Sequence, residues 1–168
     1  YQKINHLNIL HFKKNIENFK KYYGKITKVN FELFNGDMRC GKKSFCRTKE
    51  SIQDKKNDEK CLRPIAKKRI INYKIFLNRY IHSINLFHSL FNFSSKIKKK
   101  NFKIITKFNY YLSFIFFKAN VSFFFGDYNY NTWHDKIVII FEKAKINLDM
   151  IAPLDFKNKT NIKLYDGI

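Results

Sequence analysis

From Tyr110 to Phe125 the chain is almost continuously aromatic and aliphatic, and this stretch limits what the whole can become. It is about sixteen residues long, short of the roughly twenty that a helix needs to cross the hydrocarbon of a bilayer. Lys118 and Asn120 also interrupt it, so a membrane span is not expected. A run of β-branched and aromatic residues broken by single polar ones suits short strands instead. Three are expected, at 102–108, 110–117 and 119–125, separated by Asn109, Lys118 and Asn120. A loop carrying Asp127, Asn129, Asn131 and Asp135 follows, and residues 136–142 (Lys-Ile-Val-Ile-Ile-Phe-Glu) read as a buried strand.

Upstream, Ile9, Phe12, Ile16, Phe19 and Tyr23 recur at helical spacing and predict an amphipathic helix over 4–23. Gly24 stands where a helix C-cap glycine belongs. Residues 26–34 suit a strand with Val29, Phe31 and Leu33 on one side, and Asn35-Gly36 is a turn signal. Residues 37–64 hold few large apolar groups and many charges, so a long exposed loop is expected there. A second helix is expected over 69–92, with Ile70, Tyr73, Leu77, Ile81, Ile84, His88 and Phe91 as its stripe. Ser94-Ser95 and Lys98-Lys99-Lys100 would end it. The polar end, 144–168, has no assigned element. This order predicts one α+β domain over 1–168, a mostly antiparallel sheet with helices packed on one face, an exposed basic loop at about 37–64 and a polar C-terminal extension from about 144.

Charge narrows the function. Thirty-four Lys and Arg stand against thirteen Asp and Glu, a net charge of +21, while 45% of residues are hydrophobic. Such a chain has a core, is no disordered tail, and repels itself unless a polyanion binds. Only five of the basic residues are Arg, and Lys, Asn, Ile, Phe and Tyr dominate, as AT-rich codons dictate. The bias suggests a protist organelle. Mutational drift alone would also raise Glu, and acids stay few, which points to selection for positive charge.

No catalytic motif is present: no Gly-x-Ser-x-Gly, no His-Glu-x-x-His and no phosphate-binding glycine loop. Asp127 and Asp135 could bind a cation but more often such residues make turns, and His134 beside Trp133 reads as structural. Cys40, Cys46 and Cys61 lack the close pairing of a zinc site and read as ordinary reduced thiols. A reduced compartment is expected; the opening residues do not read as a signal peptide, and the absence of a starting Met leaves room for residues before Tyr1. No metal, cofactor or small-molecule substrate is expected, and no enzymatic activity.

The remaining signal is basic clusters near aromatics: Lys42-Lys43, Arg47-x-Lys49, Lys55-Lys56 with Lys60, Arg63, Lys67-Lys68-Arg69 and Lys98-Lys99-Lys100. Any one cluster could be a solvated face. Together, with the net charge, they favour RNA, whose phosphates lysines bind by displacing counterions. Aromatic strands can stack unpaired bases, although most of these rings should be core.

Residues 51–81 resemble the large-subunit ribosomal protein five family, which binds 5S ribosomal RNA. The resemblance rests on Ser51-Ile52, a charged loop to Cys61, and Asn72-Tyr73-Lys74-Ile75-Phe76-Leu77-Asn78-Arg79-Tyr80-Ile81. Asn109-Tyr110, Asp127-Tyr128 and Asp135-Lys136-Ile137-Val138-Ile139-Ile140 look similar to later family segments, and Leu33-Phe34-Asn35-Gly36 weakly resembles a family turn. The family's Gly-Cys-Lys-Val-Thr-Leu-Arg strand, its Phe-Pro-Glu-Ile segment and most of its glycines are missing. The resemblance implies a structural protein of an organelle ribosome, mitochondrial by expectation, in the central protuberance of the large subunit. Its partners would be ribosomal RNA and neighbouring ribosomal proteins. The loop between Cys46 and Cys61 would reach transfer RNA in the peptidyl site, with Arg47, Lys49, Lys55, Lys56 and Lys60 as contacts. Glu50, Asp54, Asp58 and Glu59 dilute that loop and imply a dynamic contact. The alternatives are a different organelle ribosomal protein, and an accessory subunit of an organelle membrane complex whose lysines meet anionic lipid.

Overall fold

The computed structural model describes residues 7–36, 80–91, 98–106, 109–127, 133–151 and 161–167. Helix α1 (Leu7–Tyr23) is followed by strand β1 (Ile26–Asn35). A second helix, α2, covers 80–91. Six strands follow: β2 (Lys98–Ile104), β3 (Tyr110–Phe116), β4 (Ala119–Asp127), β5 (His134–Phe141), β6 (Ala144–Asp149) and β7 (Asn161–Asp166). They form one sheet in the order β2-β3-β4-β1-β5-β6-β7. Only β1 and β4 run parallel, and every other pairing is antiparallel. The fold is α+β.

Both helices cover the same face of the sheet. Ile9, Phe12 and Ile16 of α1 are buried with Val29, Phe31 and Leu33 of β1. The Phe87 ring of α2 meets Phe31, Phe114, Phe116 and Phe123 edge-on at 5.3–6.0 Å. Tyr80 stacks on Phe125 at 4.6 Å. Alternation explains why these residues meet: Val29 pairs with Val121 and Ile139, and Phe31 with Phe123 and Ile137, so one face of five strands is apolar throughout. Burying one such aromatic contributes about 1.5–3 kcal/mol.

Gly24 ends α1 as expected. It lies at φ +84, and its amide donates to Lys20 O at 3.0 Å, closing the helix with a left-handed cap. The chain is then pinned to the β5–β6 turn. Lys25 N donates to Glu142 Oε2 at 3.1 Å, Glu142 N to Lys25 O at 3.1 Å and Lys143 N to Tyr23 O at 3.0 Å.

Several expectations are corrected. The stripe of α2 is rotated by one residue. Tyr80, Ser83, Leu86, Phe87 and Leu90 are buried, Ile81, Ile84 and Phe91 are half-buried, and His88 is exposed. Apolar side chains occupy both candidate faces, so ring packing against the sheet decides. Strand β2 begins at Lys98, so the lysine triplet belongs to a strand; pairing with β3 carries it there. Residues 144–149 and 161–166, expected in a polar extension, are strands: Ile146 and Leu148 of β6 are core, and β7 lies at the sheet edge. Asp135, expected in the loop, is the second residue of β5 and is buried opposite Leu33. Among the described residues no helix is long and apolar enough to cross a membrane.

Candidate nucleic-acid interface

The face of the sheet away from the helices carries no helix among the described residues, and register sorts it into rows. The middle row is polar: Asn101, Ser113, Ser122, Asn30, Val138, Asn147 and Lys163 follow one another from β2 to β7. Within it Ser122 Oγ donates to Asn30 Oδ1 at 2.8 Å. Asn147 is buried and its Oδ1 has no partner among the described residues.

One row nearer the start of β5, opposite charges alternate across strands, with Glu32 beside Lys136 and Lys136 beside Asp149. Cross-strand pairs of this kind neutralise each other. Tyr111 and Phe124 extend the row, and Phe124 is 37% exposed. At the end of that side Phe34 meets Phe124 edge-on at 5.1 Å, and His134 Nε2 lies 3.1 Å from Glu32 Oε2. Gly126 is required beneath Phe34, since a Cβ there would come within 2.8 Å of the ring.

The opposite end is cationic. Lys28, Ile140, Lys145 and Tyr165 are successive partners, and Lys98 takes the register position at the far edge of the same row. Lys28 and Lys145 stand two strands apart, about 10 Å. Lys145 Nζ sits over the Tyr165 ring, 5.2 Å from its centroid. Three turns reach this end, bringing Lys25, Lys118 and Lys143 beside the row, all exposed. Glu142 is the acid among them, and the Lys25 amide holds its carboxylate. Lysines are densest at one end of this face, while Lys103, Lys136 and Lys163 stand in the other rows among acids, hydroxyls, amides and rings.

The basic residues singled out from the sequence stand differently. Lys42, Lys43, Arg47, Lys49, Lys55, Lys56, Lys60, Arg63, Lys67, Lys68 and Arg69 lie outside the described residues, as do Cys40, Cys46 and Cys61. Lys98, Lys99 and Lys100 lie in edge strand β2. Lys28, Lys118, Lys143 and Lys145 are not legible as a site in the sequence, because each is a single lysine brought to the others only by strand pairing. Among the described residues no cluster of metal-ligating side chains occurs.

No protein-family model and no curated protein sequence matches the chain. Solved structures do resemble it. One is the scyllo-inositol dehydrogenase of Lactobacillus casei with bound NAD(H) and scyllo-inositol, 14% identical with a TM-score of 0.53 over 90% of this chain. Another is an oxidoreductase from Pseudomonas syringae, 12% identical with a TM-score of 0.55 over 97%. A third is an inositol dehydrogenase homolog from Azotobacter vinelandii complexed with NAD+, 11% identical with a TM-score of 0.51 over 97%. The chain spans 40%, 39% and 41% of those chains. At such identity the likeness is one of fold, which does not carry function with it.

Proposed function

We propose that this chain is a non-catalytic RNA-binding protein of an organelle ribosome, seated in the large subunit against ribosomal RNA and neighbouring proteins. The observation that carries the RNA reading is the cationic end of the open sheet face, on a chain of net charge +21. Lys28 and Lys145, with Lys25, Lys118 and Lys143 beside them, offer clustered cations to phosphates, and exposed rings beside amides and hydroxyls suit unpaired bases. The ribosomal assignment, and transfer RNA as a further partner of the segment between Cys46 and Cys61, rest on the resemblance at 51–81.

The test is a sucrose gradient of organelle lysate with RNA cross-linking. Co-migration with the large subunit, and cross-links from ribosomal RNA to peptides containing Lys28 or Lys145, are expected. Migration with a detergent-solubilised membrane complex and no RNA would overturn the proposal.

A further inference from the structure

Between the C-terminal turn of α1, helix α2 and the β3–β4 hairpin lies a cavity of about 380 Å³. Phe87, Phe91, Phe116, Ala119, Val121 and Val29 line its body, and Lys20 and Lys25 are the charged groups of its lining. It opens on the helix-covered side of the sheet and shares Lys25 with the cationic end of the other face. A volume above about 300 Å³ is enough for a small organic ligand.

Two features mark it as more than a packing gap. Phe117 at its lip is 70% exposed and sits at φ 45, with Lys118 at φ 70. Left-handed backbone at two successive non-glycine residues is unfavourable by about 1–2 kcal/mol each. The turn therefore holds a large apolar ring in water at a local cost. The second feature is the pair of lysines. Among the described residues Lys20 Nζ pairs with Glu17, one turn earlier on the exposed helix surface, at 2.6 Å, a pair of the kind worth little. The Lys25 ammonium has no ion-pair partner among the described residues.

We infer that the cavity binds a medium-chain fatty acid, with its carboxylate between Lys20 and Lys25 and its alkyl tail among the phenylalanines. A nucleobase fits less well. Among the described residues no amide or hydroxyl side chain lines the cavity, so the polar edge of a base would find no partner among them, which costs about 1–3 kcal/mol. An alkyl tail has no such edge, and its carboxylate meets the two cations at the mouth.

The test is titration of the full chain with dodecanoate below its micellar range, read by calorimetry. Saturable one-to-one binding is expected. The Lys20→Gln/Lys25→Gln double variant should weaken it at least 10-fold while leaving binding of uncharged dodecanol unchanged. Lys28→Gln/Lys145→Gln, altered only on the open face, should leave dodecanoate affinity intact. Absence of saturable binding, or equal weakening by both double variants, would overturn the inference. The altered lysines are exposed, so loss of fold would not confuse the result; a circular dichroism spectrum confirms it for each variant.

Discussion

The ring of Tyr80 lies on that of Phe125, with centroids 4.6 Å apart and planes 14° from parallel. Tyr80 also meets Tyr110 at 5.6 Å, so one side chain of α2 ties the helix to β3 and β4. Both stacked rings are fully buried. Tyr80→Ala should destabilise the chain by about 3–5 kcal/mol, the range for emptying a buried aromatic site. Urea unfolding with an unchanged slope checks it. A loss below about 1 kcal/mol, far under that range, would mean that α2 is not anchored there.

Gly24 carries two demands at once. Its φ of +84 suits glycine, and a Cβ would run into the Glu142 carboxylate that the Lys25 amide holds. Gly24→Ala should therefore cost at least about 1–2 kcal/mol, the penalty for left-handed backbone alone. Gly24→Ala combined with Glu142→Ala, compared with Glu142→Ala alone, should recover the part of the clash that the Glu142 carboxylate makes and no more. Thermal melts of these variants separate the contributions.

The cationic row makes a quantitative demand on RNA binding. Each lysine withdrawn from a phosphate should flatten the plot of log affinity against log salt by about 0.7–0.9. Lys28→Gln/Lys145→Gln should then reduce the slope by about 1.4–1.8, measured with ribosomal RNA fragments. Lys136→Gln, at a position with Glu32 and Asp149 as its cross-strand register neighbours, should change it far less. Equal slopes for all three proteins would remove the open face from the interface.

Much of this fold is readable from period alone. Val29, Phe31 and Leu33 alternate with polar residues, as a half-buried strand must, and Ile9, Phe12 and Ile16 keep helical spacing before a capping glycine. Local period carries nothing about partners, which is why the parallel pairing of β1 with β4 cannot be read from it. Strand β6 does leave a signal, short and easily passed over: Ala144, Ile146 and Leu148 alternate with Lys145, Asn147 and Asp149. Strand β7 leaves none, because it is an edge strand with five of its six residues exposed. The site follows the same division. Runs such as Lys98-Lys99-Lys100 are visible in the chain, whereas Lys28 and Lys145, more than a hundred residues apart, become neighbours only through Ile140.

The β3–β4 turn offers a trade between stability and binding. Phe117 and Lys118 both hold positive φ, the conformation of a type I′ hairpin turn, where Asn-Gly is favoured. The strands on either side remain in register, with Phe116 opposite Ala119. Phe117→Asn/Lys118→Gly should therefore relieve backbone strain and raise stability by about 1–2 kcal/mol, which urea unfolding measures. It also removes the ring that meets Phe116 edge-on at 4.6 Å at the lip of the cavity. Dodecanoate affinity should fall in the same variant that gains stability. Opposite signs in the two measurements would mark the turn as strained for binding, while a gain in stability with unchanged affinity would separate the strain from the cavity.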